Sequence, residues 1–260
     1  MPSDQKEEHI PRLGALVCRQ ITSLPPNSRA VALIAEGGSQ REAMEDVLDV
    51  YCQPYDPSLP RICMDEMGKN LVKDKYPPEP AKPGQIARED YTYEKEGRSN
   101  PFIVYEPLAG KRYLKVTEHR TKKDWALFMQ EVLEEQYPDA KKVILVMDNL
   151  NTHTPTSFYE VFPPSQAKAL ADRLEIHYTP KHASWLNIAE IELSVLARQG
   201  LAHNIATIEE LCQQAQTWQD HRNQRVGTVN WQFRTSDARI KLKRLYPVQQ
   251  PDSQLPGCVV

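Results

Sequence analysis

Three acidic side chains stand where a chain can do chemistry. Asp65 follows Ile62-Cys63-Met64. Asp148 follows the apolar run Val143-Ile-Leu-Val-Met147. Glu190 lies within the stretch from Trp185 to Leu196. An acid directly after a buried strand sits where an open α/β sheet meets solvent, the edge at which such sheets place their ligands. The competing reading of Asp148 is a plain turn cap, a common role for Asp and Asn. For Glu190 it is an ion pair with an arginine such as Arg173 or Arg198. Together, two strand-end aspartates and a helix glutamate form a hard, all-oxygen ligand set that suits Mg²⁺ or Mn²⁺ rather than zinc. Two such ions roughly 3.5–4 Å apart activate an attacking oxygen and stabilise the leaving oxygen of a phosphodiester. They also reverse the local charge, so a polyanion that three carboxylates would repel is held instead.

These acids need elements to carry them. Val143–Met147 reads as a strand buried on both faces, and Arg61–Glu66 as a strand ending in acid. Phe102–Tyr105 and Arg112–Val116 read as a hairpin across Pro107–Gly110. Thr121-Lys-Lys-Asp124 is a capping box, opening a helix whose Trp125, Phe128, Met129 and Val132 form a core stripe. A helical stretch over about 156–174 is interrupted by Pro163-Pro164, and Leu174–Tyr178 is a short strand. The helix over about 185–201 is apolar almost all round and is expected to be buried. Asn187, Glu190 and Ser194 make one polar stripe on it, from which Glu192 points about 200° away. Thr207-Ile-Glu-Glu210 opens a last helix that buries Leu211, Ala215 and Trp218. The order strand, hairpin, helix, strand, helix, strand, helix, helix predicts a mixed α/β domain over 61–247. Residues 1–60 read as a short helix at Leu13–Ile21, a helix at Glu42–Tyr51 and a proline-rich linker. Residues 248–260 form an irregular tail.

A chain of 260 residues with 40% hydrophobic content supports a sizeable core. No run of 18 apolar residues occurs, so no membrane span is expected. The polar, acidic start Met1–His9 is unlike a signal peptide. The five cysteines are scattered without a CxxC pair. Neither a zinc site nor a disulfide framework is indicated, and a reducing cytoplasm is the expected location. The net charge of −3 argues against a general nucleic-acid binder. Locally, His221–Pro247 carries seven Lys or Arg against the single acid Asp237. Lys111–Lys123 is also basic. Such segments suit a polyanion surface, or equally a solvated face.

Three blocks then carry a resemblance: Met64-Asp65-Glu66; Val146-Met147-Asp148-Asn149 with Asn151 and His153; and Tyr178-Thr-Pro-Lys-His-Ala-Ser-Trp-Leu-Asn187-Ile-Ala-Glu190. Together they resemble the DDE transposases of bacterial insertion sequences, of the mariner-type superfamily, over about Met44 to Pro247. The resemblance implies a ribonuclease H-like fold, an α/β mixed sheet flanked by helices. It implies Asp65, Asp148 and Glu190 as catalytic and metal-binding carboxylates, with Mg²⁺ or Mn²⁺ as two ions, and with Glu192 as the rival third acid. The interval from Asp148 to Glu190 is longer than is typical of the superfamily, and the Pro163-Pro164 segment can hold the excess. The implied reaction is strand cleavage by water, then attack of the freed 3′-hydroxyl on target DNA. Transposon ends and target DNA are the implied partners, with a homodimer acting on paired ends. Asn149 and His153 are candidates for orienting the strand end or contacting phosphate, with turn capping as the alternative. Lys181 and His182 are candidate phosphate contacts, and Asn187 a residue that positions Glu190. The segment before Asp65 shows no complete helix-turn-helix, so the expectation is a catalytic domain from a truncated or rearranged gene. The alternatives are an inactive DNA-binding remnant and another ribonuclease H-like nuclease.

Overall fold

Val143, Leu145 and Met147 point to one face of their strand and join a single apolar cluster with Ile62, Met64, Phe102, Val104, Trp125, Phe128 and Met129. This computed structural model describes residues 37–76, 81–86, 92–150, 152–181 and 183–246. The expected Leu13–Ile21 helix, Asn151, His182 and the 248–260 tail lie outside the described residues. The chain divides into two compact units, Met1–Cys52 with Trp231–Val260, and Gln53–Asn230.

In the larger unit the strands are β1 (Arg61–Glu66), β2 (Lys69–Asp74), β3 (Tyr93–Glu106), β4 (Lys111–Thr117), β5 (Val143–Asp148) and β6 (Leu174–Thr179). They form one sheet in the order β2-β3-β1-β5-β6, with β4 also pairing β3. β1, β5 and β6 run parallel, whereas β3 is antiparallel to β1, β2 and β4. The forecast hairpin is present, but its first strand starts earlier. Residues 93–99 of β3 pair with β2, a strand the sequence pattern does not announce. Of β2 only Leu71 is buried, so there is no alternating apolar signal to read.

One face of the sheet packs against α2 (Lys122–Glu131), which continues through a π-helical turn to Gln136, and against α3 (Pro164–Asp172). Trp125, Phe128, Met129 and Val132 are fully buried there. The capping box is present as forecast: Thr121 Oγ1 accepts from Asp124 N–H, and the Asp124 side chain accepts from Thr121 N–H. The opposite face receives α4 (Ile188–Gln199) on β1 and β3, and α5 (Ile208–Gln224) on β4. Leu211, Ala215 and Trp218 of α5 are buried as their spacing predicts.

In the other unit α1 (Gly37–Cys52) buries Met44, Val47, Leu48 and Tyr51. The Tyr51 and Trp231 rings lie 5.1 Å apart. Arg239 of α6 (Thr235–Lys241) forms a two-pronged pair with Glu45, at 2.8 and 2.6 Å. Of the described residues, 231–246 group with α1, whereas the 61–247 reading places them in the domain of the sheet.

Candidate active site

The register of the sheet brings two of the acids together. Arg61, Ile62 and Cys63 of β1 pair with Ile144, Leu145 and Val146 of β5. Carried two residues further, that register sets Asp65 level with Asp148 on neighbouring parallel strands. Because strand side chains alternate, the face that takes Ile62 and Met64 into the α2-side cluster leaves Asp65 on the other side. The same alternation sends Asp148 to that side with Val146. Both carboxylates thus emerge at the ends of their strands, on the face that receives α4.

Each is held by one donor. Asp65 Oδ1 accepts from the backbone N–H of Glu66 at 2.8 Å, and Asp148 Oδ1 accepts from Thr179 Oγ1 at 2.7 Å. Thr179 stands opposite Asp148 in the β5–β6 register. Among the described residues neither aspartate forms an ion pair with Lys or Arg. Burial pushes the Asp65 carboxyl up to about 8, and the negative charges of Asp148, Glu66 and Glu190 push the same way. Two carboxylates this close resist ionising together without a cation.

Glu190 lies in the first turn of α4 and is exposed. This corrects the expectation of a buried glutamate on a wholly buried helix. The buried acid of α4 is Glu192, 3% exposed and paired with Arg112 and Arg222. Neither arginine proposed as a partner for Glu190 takes that part. Arg173 donates to the carbonyls of Leu133, Tyr137 and Ala140, and Arg198 to that of Ser194. The helix is anchored by Asn187. Its Oδ1 accepts from Ala189 N–H as the N-cap, and its Nδ2 donates to the Met64 carbonyl, one residue before Asp65. The side chain is fully buried, so the α4 N-terminus is tied to the strand carrying the first aspartate.

The other candidates fall into different settings. Asn149 and Lys181 are exposed beside the site. His153 is 2% exposed and lies 6.1 Å from the Trp125 ring and 6.5 Å from that of Phe102. A ring so enclosed is withdrawn from a phosphate at the surface, in contrast to the contact considered from sequence. Its Nε2 lies 3.4 Å from Glu66 Oε2, and burial pulls the ring down to about 4, so it is neutral at pH 7. Glu66 occupies the reverse face. Burial raises its carboxyl to about 7, with Asp148 adding and exposed Arg120 opposing. Glu66 and Thr179 are the contributors that sequence reasoning passed over. Thr179 was within reach by laying the 174–179 strand against 143–148.

A divalent cation fits the donor set in part. Asp65 and Asp148 offer adjacent hard oxygens, and an elevated carboxyl is what a cation would relieve. Among the described residues no three Asp, Glu, His or Cys side chains are already gathered as a metal cage. The third ligand would come from an exposed side chain such as Glu190.

Solved structures align with this chain. The Mos1 strand transfer complex aligns with a TM-score of 0.51 at 13% identity, over 81% of this chain and 62% of that one. The Mos1 mariner paired end complex with Mn aligns at 0.48 and 15% identity, over 79% and 58%. The chain spans about three fifths of the Mos1 chains it matches. At such identities the likeness to the strand transfer complex is one of fold, the ribonuclease H-like mixed sheet. No curated protein matches the chain. The family model described as DDE superfamily endonuclease matches residues 60–212, more than half of the chain and all of β1, β5 and α4. The chain therefore belongs to the DDE superfamily of endonucleases.

Proposed function

We propose that this chain carries the catalytic centre of a mariner-type DDE transposase, with Asp65, Asp148 and Glu190 as its metal-binding and catalytic carboxylates. The observation that carries the proposal is the level placement of Asp65 and Asp148 at adjacent parallel strand ends, facing the helix that bears Glu190. Membership of the endonuclease superfamily supports the reaction class, and Mos1, which shares the fold, has been captured in a strand transfer complex.

Bound Mg²⁺ or Mn²⁺, as two ions, would supply Lewis-acid activation of the attacking oxygen and stabilisation of the leaving one. The chain's own residues prepare that place. Asp65 and Asp148 provide fixed oxygens, each oriented by one hydrogen bond. Glu190 closes the set from a helix pinned at Asn187. Lys181 and Asn149, exposed on the flanking loops, contact the DNA backbone and fix its register without reading sequence. His182 is proposed with them from its place in the sequence. The partners are transposon-end and target DNA, engaged by a homodimer.

Strand joining separates this reading from a plain nuclease. Incubating the chain with Mn²⁺, a labelled duplex bearing a transposon-end 3′-hydroxyl and a target plasmid should give covalently joined product. That product should be lost in Asp65→Asn. Cutting without joining would replace the transposase reading with that of a simple endonuclease.

A further inference from the structure

Glu192 is a second acid in α4, two residues beyond Glu190, and it is enclosed by two guanidinium groups. Arg112 Nε donates to Oε2 at 2.6 Å and Nη2 to Oε1 at 3.1 Å. Arg222 Nη2 lies 3.0 and 3.2 Å from the same two oxygens. The Arg112 side chain is fully buried, and its remaining donors reach the carbonyls of Gly110 and Gly227. Its guanidinium also stacks 4.4 Å over the Tyr105 ring. Three elements therefore meet at one carboxylate: β4 through Arg112, α5 through Arg222 and α4 through Glu192.

A buried ion cluster is a poor source of net stability, since apolar side chains of similar volume often serve as well. What a forked, two-pronged arginine pair does supply is direction. Here the direction concerns α4. Asn187 fastens the start of the helix to β1 at the Met64 carbonyl, and Glu192 fastens the next turn to β4 and α5. Glu190 lies between the two fastenings and on the other side of the helix. A roll of α4 that carried Glu190 away from the aspartates would break the Glu192 cluster.

We propose that the Arg112–Glu192–Arg222 cluster is a positioning device that sets the rotation of α4 and so holds Glu190 toward Asp65 and Asp148. This rests on the three-carboxylate reading above. Glu192 takes no part as a ligand; it acts through Glu190.

The test uses the full chain and Mn²⁺ alone, with free Mn²⁺ followed by electron paramagnetic resonance well below each variant's melting temperature. Arg222→Met removes the half-buried arm and leaves the buried Arg112–Glu192 pair in place, so folding is retained. It should weaken Mn²⁺ binding about 10-fold, the effect of losing a residue that orients a ligand. Arg222→Lys should recover part of the loss. Added to Glu190→Gln, Arg222→Met should cause no further weakening, because the group it positions is already gone. Unchanged Mn²⁺ affinity in Arg222→Met beside a lowered melting temperature would overturn the proposal and leave the cluster as packing. An equal loss in the Glu190→Gln background would also overturn it. Wild-type affinity in Glu190→Gln itself would overturn the three-carboxylate reading, and this proposal with it.

Discussion

Asp65 shows how position changes the chemistry of an ordinary residue. Its folded pKa of about 8 lies above the usual 3.8, so the native chain holds a proton between those values that the unfolded chain has released. The stability it contributes is complete below about pH 4 and is lost as pH rises toward 8. His153 has the opposite sign: its pKa falls from 6.5 to about 4, so its contribution is present above pH 6.5 and lost toward pH 4. Comparing wild type with Asp65→Asn isolates the first effect. In chelator, urea melts should find Asp65→Asn more stable than wild type at pH 8, on the order of 1–3 kcal/mol, with the gap closing near pH 4. Parallel pH profiles would show that the carboxyl is not strained. A cation competes with the same proton, so Mn²⁺ affinity should climb by up to about 10-fold per pH unit below pH 8. Glu190 marks the limit of sequence reasoning at this scale. Helical geometry puts Glu190 and Glu192 on different sides of α4, but does not tell which of the two faces arginines, because Arg112 and Arg222 arrive from β4 and α5, remote in sequence.

The elements that read clearly were those whose burial follows a simple period. β5 is apolar from Val143 to Met147 because both its faces are covered there, and α2 shows its stripe because only one side is. β2 escaped notice because it is a mostly exposed edge strand. The beginning of α4 was read as helix from Trp185, whereas residues 184–186 form a 3-10 turn and Asn187 is the cap. That detail makes a prediction. Asn187→Ala removes the cap and leaves the buried Met64 carbonyl without its donor, so it should cost about 1–3 kcal/mol in denaturant melts. It should weaken Mn²⁺ binding as well. Trp125→Ala, in the core of the opposite face, should cost about 3–5 kcal/mol. Its Mn²⁺ affinity should stay at the wild-type value at temperatures where it remains folded. If both variants changed affinity equally, the site would depend on overall stability and not on the anchoring of α4.

Across the molecule the sheet separates two tasks. The side toward α2 and α3 is packed with apolar side chains and carries the buried Glu66–His153 contact. The side toward α4 and α5 brings Asp65, Asp148 and Glu190, remote in sequence, into one neighbourhood. From sequence the basic C-terminal stretch suits either a polyanion surface or a solvated face. Within it Arg222 is engaged by buried Glu192 and exposed Arg239 by Glu45, so part of its positive charge is already paired with acids of the same chain. No helix among the described residues is long and apolar enough to cross a membrane. The proposed function rests on Asp65 and Asp148 as the floor of a cation site that cuts DNA. The most direct measurement is a Mn²⁺ titration of wild type and Asp148→Asn, each then tested for nicking of supercoiled plasmid. Wild type should bind and nick, and Asp148→Asn should lose both while keeping its fold by circular dichroism. Equal Mn²⁺ affinity in the two proteins, or nicking that survives in Asp148→Asn, would contradict it.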